Sequence, residues 1–76
     1  MIITIYSIPN CVYCQKAKTL AKDNTCEVVE RSARALSKQD WMQKMGKIPK
    51  TAPQIFIGSE YIGGYTDLQK FFARRT

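Results

Sequence analysis

The chain has 76 residues, 12 Lys and Arg against 6 Asp and Glu for a net charge of +6, and 45% apolar residues. This length suits a single domain, 1–76, with no room for a second core or a repeat array, and the apolar fraction with only 4 Gly and 3 Pro excludes a disordered or linker-like chain. There is no histidine, which removes Ser-His and Cys-His nucleophile pairs, imidazole bases and His metal ligands, and with them most hydrolase chemistry.

Met1 to Tyr6 is an Ile-rich apolar run of strand length, as expected for a strand covered on both faces. It ends at Ser7, and Pro9-Asn10 marks a turn. The first fifteen residues carry no charge, yet a basic leader and a small-residue cleavage site are missing, and Ser7, Pro9 and Asn10 interrupt the apolar run, so it does not read as a signal peptide. No stretch reaches the roughly 20 apolar residues of a spanning helix. A soluble cytoplasmic protein is expected.

Asn10 is the expected N-cap of a helix on which Cys14, Ala17, Leu20 and Ala21 share one face, with Lys16, Lys18 and Lys22 mostly outside it. Asp23-Asn24 ends that helix, with Asn24 in the left-handed position. Cys26 to Val29 follows as a short strand, and strand, helix and strand make a right-handed βαβ unit. Leu36 to Met45 reads as a second helix with Ser37 near its start, Trp41, Met42 and Met45 as core and cover, and Gly46 as its stop before Pro49. Gln54–Ile57 and Glu60–Ile62 flank Gly58-Ser59, whose leading Gly favours a type II′ hairpin. Gly63-Gly64 permits positive φ or close backbone approach. Thr66-x-x-Gln69 is a capping-box pattern opening a last helix with Leu68, Phe71 and Phe72 on its apolar stripe and Arg74-Arg75 at its negative end. The order is βαβαββα, an α/β class.

Three cysteines, Cys11, Cys14 and Cys26, form an odd set that cannot make a fully paired framework. Closing Cys11 to Cys14 makes so short a loop that chain entropy gives only about 2 kcal/mol, against about 4 or more for long loops. Chemistry is the better reason for the pair. Cys11 falls at the start of the first helix, where free N–H groups and the positive end of the macrodipole stabilise a thiolate, and Cys14 lies one turn on, in place for a reversible disulfide. Ionising a thiol at low pKa gains little in attack, because nucleophilicity falls with pKa at a slope near 0.45; it gains as a leaving group, so a mixed disulfide through it resolves quickly. Structural zinc needs four ligands, and only Cys26 remains. Cys26 itself reads as a small buried hydrophobe. The basic residues are scattered, which disfavours nucleic acid and leaves a positive field that attracts an anionic ligand or an acidic partner surface.

Three blocks, Cys11-Val12-Tyr13-Cys14, Thr51-Ala52-Pro53-Gln54-Ile55-Phe56-Ile57 and Ile62-Gly63-Gly64-Tyr65-Thr66-Asp67-Leu68, resemble the glutaredoxin family in order and spacing over nearly the whole chain. The Val-Tyr pair and the short chain are more similar to phage-encoded members than to cellular ones, which would place the protein in a host cytoplasm. The resemblance implies a thioredoxin-like fold, a mixed four-stranded sheet flanked by helices, with Pro53 cis. It implies Cys11 and Cys14 as the catalytic pair and a glutathione groove of Tyr13, Thr51, Ala52, Pro53, Gly64, Tyr65, Thr66 and Asp67. There Ala52 offers its N–H and C=O to an extended peptide, Tyr13 and Thr51 line the middle, and the γ-glutamyl carboxylate meets the start of the last helix, with Asp67 accepting from the α-amino group. Glutathione is then reductant and co-substrate. Disulfide-bearing proteins, ribonucleotide reductase among the candidates, are the clients, and a monomer with no metal, nucleic acid or membrane partner is expected.

This chain departs from the family pattern in several places. Val12 stands where cellular dithiol members have Pro, restoring an N–H expected to reach the Cys11 sulfur. Ile8 stands where some relatives place a basic residue, with Lys50 or a basic residue of the second helix as substitutes. Thr66 stands where Asp is common and caps as well. Two rival readings are a redoxin reduced by thioredoxin reductase, which the Gly63–Asp67 block opposes, and a carrier in which two chains bridge an iron–sulfur cluster through Cys11 and glutathione.

Overall fold

The computed structural model describes residues 1–74. In chain order it contains β1 (Ile2–Ser7), α1 (Val12–Asp23), β2 (Glu27–Ser32), a 3-10 turn at Ala33–Ala35, α2 (Lys38–Met45), β3 (Gln54–Ile57), β4 (Glu60–Gly63) and α3 (Tyr65–Ala73). The sheet order is β2-β1-β3-β4, with β1 parallel to β2 and antiparallel to β3, and β3 antiparallel to β4. This is the expected mixed thioredoxin-like sheet.

Strand β1 is mostly apolar because both its faces are covered from Ile3 onward, with Ile2 left exposed. Ile3 and Ile5 point to one side and pack with Ile55, Ala17 and Ala21 of α1, and Leu68 and Phe72 of α3. The two alanines let α1 lie close to the sheet. Tyr6 points to the other side and meets Trp41 of α2 and Phe56 of β3 edge-on, with ring centroids 5.1 and 5.7 Å away. Trp41 is buried and Met45 half-buried, whereas Met42 is exposed.

Several boundaries differ from the sequence expectation. The N-cap of α1 is Cys11, whose sulfur accepts from the Cys14 N–H, while Asn10 takes a left-handed φ of 58° and turns the chain into the helix. At the other end Asn24 stays in the right-handed half with φ −97°, its side chain donating to the Leu20 carbonyl, and Thr25 takes the left-handed position at φ 58°. Strand β2 runs to Ser32, past the expected Val29, because six consecutive residues pair with β1 from Ile2↔Glu27 to Ser7↔Ser32. Ladder hydrogen bonds to a formed neighbour override the weak local alternation. Helix α2 starts at Lys38, since Leu36 is extended and Ser37 caps, its hydroxyl accepting from the Asp40 N–H as the Asp40 carboxylate accepts from the Ser37 N–H.

Gly46 closes α2 at φ 75°, and Gly58 takes φ 59° while Ser59 has no positive φ, as a type II′ turn requires. The N-cap of α3 is Gly64, and Thr66 lies inside the helix; the capping carboxylate is Asp67, which accepts from the Gly64 N–H at 3.0 Å. Thr66-x-x-Gln69 therefore marks the right helix with the wrong residues. Of the expected Arg74-Arg75 pair, Arg74 is the C-cap and Arg75 lies outside the described residues.

Candidate active site

The site forms where β1 hands the chain to α1. Cys11 sits half-buried at the helix mouth, and its sulfur takes the Cys14 N–H at 3.2 Å. The Cys11 thiol also lies 3.8 Å from the Ala52 carbonyl, which accepts from it. The amide that reaches the sulfur is that of Cys14, not that of Val12, whose side chain is exposed. An N-cap atom accepts from the amide two or three positions on, and position 12 is too near.

Cys14 is the opposite of Cys11 in environment. Only 1% of it is exposed, on the buried face of α1. Burial pushes its thiol above the ordinary range, and the adjacent Cys11 sulfur pushes the same way. The two sulfurs are not bonded to each other in this structure. One helical turn thus presents an accessible sulfur and a shielded, protonated one.

Beside Cys11 the cis Ala52–Pro53 bond brings the loop before β3 against the start of α3. A groove of about 210 Å³ opens there, lined by Tyr13, Thr51, Ala52, Pro53, Gly64, Tyr65, Thr66 and Asp67. Every groove residue inferred from sequence lies on this one surface. The volume is below the roughly 300 Å³ at which drug-sized pockets begin, and suits an extended peptide laid across it rather than an engulfed ligand. The Tyr13 ring, more than half exposed, leans on Tyr65 with centroids 5.7 Å apart.

Gly63 shapes the helix end of the groove. Its φ is 128°, and a Cβ placed on it would run into the Asp67 carboxylate, so only glycine lets that carboxylate reach the Gly64 amide. The Thr51 side is braced from behind: buried Gln54 donates to the Thr51 carbonyl at 2.8 Å, and the Tyr61 hydroxyl donates to the Gln54 Oε1 at 2.5 Å. Burial raises the Tyr61 phenol above its ordinary range, keeping it a donor. Ile8 is exposed, and neither Lys50 nor a basic residue of α2 lines the groove. Instead Lys44 lies 4.8 Å over Phe56, and Lys47 5.7 Å over Tyr61.

Three contributors escape the sequence reading: Ser7, Gln54 and Tyr61. Ser7 carries a signal that could have found it, since it stands two residues beyond Ile5 and four beyond Ile3 and so faces α1, behind Cys14. Gln54 and Tyr61 carry none, because their partnership depends on β3 and β4 pairing. Among the described residues no group of three or more His, Cys, Asp or Glu is placed to hold a metal, and no helix is long and apolar enough to cross a membrane.

A thioredoxin-like fold with an accessible helix-capping sulfur, a shielded sulfur one turn away and a peptide groove beside them defines a thiol-disulfide oxidoreductase. Comparison with known proteins narrows this class. The glutaredoxin family profile matches residues 3–62. Glutaredoxin 1 of Escherichia coli is 40% identical over 70 residues, covering 83% of this chain and 82% of that protein. The glutaredoxin of Haemophilus influenzae is 38% identical over 76 residues, covering 91% and 87%. The solution structure of reduced E. coli glutaredoxin superposes with a TM-score of 0.82 at 34% identity, over 97% of this chain and 95% of that one. The chain belongs to the glutaredoxin family, and it is a dithiol member.

Proposed function

We propose that this glutaredoxin reduces protein disulfides and glutathione mixed disulfides at the expense of glutathione, with Cys11 as nucleophile and Cys14 as resolving thiol. The Cys11 thiolate attacks a substrate sulfur, forms a mixed disulfide and releases the other sulfur as thiolate. Cys14 then attacks Cys11 and frees the substrate, or a second glutathione does so. Two glutathione molecules return the Cys11–Cys14 disulfide to dithiol and leave as glutathione disulfide.

The observation that carries this reading is the groove joining the Cys11 sulfur to the first turn of α3. At its near end the Ala52 backbone, freed by the turn at Pro53, meets an incoming cysteinyl residue in the manner of an added strand. At its far end the free amides of the α3 N-terminus suit the γ-glutamyl carboxylate. Asp67 Oδ2 accepts from the Gly64 N–H, leaving Oδ1 for the α-ammonium. The net charge of +6 draws an anionic tripeptide toward the surface. Ribonucleotide reductase is a candidate client, as a protein that needs a dithiol donor after each turnover.

The deciding experiment has two parts. Turnover of a mixed-disulfide substrate should be supported by glutathione with glutathione reductase and NADPH, and not by thioredoxin reductase with NADPH. Cys14→Ser incubated with oxidised glutathione should gain one glutathione by mass, located on Cys11. Turnover with thioredoxin reductase alone, or an adduct elsewhere, defeats the proposal.

A further inference from the structure

A second cleft lies on the opposite side of the cysteine turn from the groove. It is about 480 Å³ and its lining includes Ser7, Ile8, Lys18, Glu30 and Arg31. Among its lining residues Ser7 carries the one buried side-chain oxygen or nitrogen of the described residues that lacks a hydrogen-bond partner. Buried hydroxyls are almost always paired, and leaving one unpaired destabilises a fold. A small aliphatic residue would avoid that cost, so the hydroxyl calls for an explanation.

Its position supplies one. Ser7 ends β1 on the face that Ile3 and Ile5 turn toward α1, which puts it beneath the buried face carrying Cys14. The neighbouring β2 residue on the same side is Glu30, paired with Ile5 in the ladder and held by Lys18 of α1 at 2.8 Å. Ser7 thus lies between the shielded sulfur and an ion pair, bonded to neither, where its hydroxyl favours the ionised form of Cys14 and, after Lys18, of Glu30. One hydroxyl proton therefore has two acceptors, one of which is charged only while Cys14 is reacting.

We propose that Ser7 is the hydrogen-bond donor that stabilises the Cys14 thiolate during the resolving step, its hydroxyl being unpaired in the dithiol and so free to turn to the sulfur when that sulfur ionises. The inference rests on the dithiol reading above. Cys14 loses its proton to solvent, and its thiolate attacks the Cys11 sulfur of the Cys11–glutathione mixed disulfide. The Cys11–Cys14 bond forms as the Cys11–glutathione bond breaks, so Cys14 is oxidised and glutathione leaves as thiolate and takes a proton. Throughout, the Ser7 O–H points at the Cys14 sulfur, alongside the Ile8 amide that also favours its anion.

The groups facing Cys14 are few. Cys11 on its own helix no longer titrates once in the mixed disulfide. Ser7 and the Ile8 amide approach from β1, Glu30 and Lys18 stand beyond Ser7, and α3 contributes the apolar Leu68 and Phe72 to the core. A titration of the closing step therefore reports Cys14.

The test mixes reduced protein with excess oxidised glutathione and follows both phases by rapid quench and mass spectrometry between pH 6 and 10. The bimolecular phase adds glutathione to Cys11; the unimolecular phase closes the disulfide. In Ser7→Ala the midpoint of the closing phase should rise by about one pH unit, the shift expected on losing one hydrogen bond to a charged group. A thiolate of higher basicity is also a better nucleophile, with a slope near 0.45, so closure should be about threefold slower at neutral pH and about threefold faster at the alkaline plateau. The two profiles cross. Parallel profiles with the same midpoint would mean that the hydroxyl only packs, and would overturn the inference. Wild-type protein whose adduct never closes would instead defeat the dithiol reading itself.

Discussion

The two flanks of the cysteine turn are built on opposite principles. The groove flank is open and backbone-rich: the Cys11 sulfur, the Ala52 carbonyl and the first amides of α3 border a space that no side chain of the fold fills. The rear flank is side-chain-rich, with Cys14 buried over Ser7 and the Lys18–Glu30 pair lining the cleft beyond it. Positions 11 and 14 are one helical turn apart, so a single turn of backbone places equal functional groups in unequal surroundings. Unequal exposure of two thiols needs no difference in residue type. It needs one sulfur at the cap and the other on the apolar stripe.

The comparison is sharpened most by removing each sulfur in turn. Cys11→Ser should lower every glutathione-dependent activity by at least about 10³-fold, because a serine hydroxyl at neutral pH is a far weaker nucleophile. Cys14→Ser should lower reduction of a protein disulfide by about 10²-fold while turnover of a small glutathione mixed disulfide stays within a few fold, since a second glutathione can replace the resolving thiol there. Equal losses in both assays of Cys14→Ser would erase the distinction between the flanks.

Next in size is Gly63→Ala. It forces an L-residue into φ 128° and pushes the Asp67 carboxylate off the Gly64 amide, with an expected loss of about 2 kcal/mol in urea unfolding. The KM for glutathione should rise more than kcat falls. A fully active, equally stable variant would show that the groove end does not depend on that carboxylate.

Tyr61→Phe probes the brace at lower cost. It leaves the buried Gln54 Oε1 without its donor, so about 1 kcal/mol of stability should go, with a modest rise in the KM for glutathione because Thr51 is held through Gln54. The smallest effect belongs to the rear edge. The Glu30 side chain is 45% exposed, so Lys18→Ala should cost no more than about 0.5 kcal/mol at neutral pH. Lys18 holds the Glu30 carboxyl below its ordinary 4.5, which means that the contribution is complete above pH 4.5 and fades as pH falls through the lower native value. The two stabilities should therefore converge in acid.

Much of the fold is legible in local pattern. The Ile-rich start, the Ala17 and Ala21 stripe and the Gly58-Ser59 link each name their element, because apolar periodicity and turn chemistry are properties of a few consecutive residues. The motif blocks name the eight residues that line the groove in the structure, with Cys11 at the helix cap beside it and Cys14 buried one turn on. Asn10 and Asn24 are good caps in isolation and Thr66 a plausible one, yet in each case the next residue takes the role: the Cys11 sulfur, the left-handed Thr25 and the Asp67 carboxylate. Val29 is a plausible strand end, and there the distant β1 ladder carries the strand on to Ser32.

The order of the elements and the one-turn spacing of Cys11 and Cys14 were determined by the amino-acid sequence, since helix phase, turn residues and cysteine spacing are short-range constraints. The Cys14 amide meets the Cys11 sulfur within one helical turn, but the Tyr61 brace behind Gln54 and Thr51 was decided only when β3 and β4 paired, and what lies behind Cys14 only when α1 packed on β1. Hydrogen bonds and burial depend on distances between residues far apart in the chain, and those distances exist only once the chain has folded.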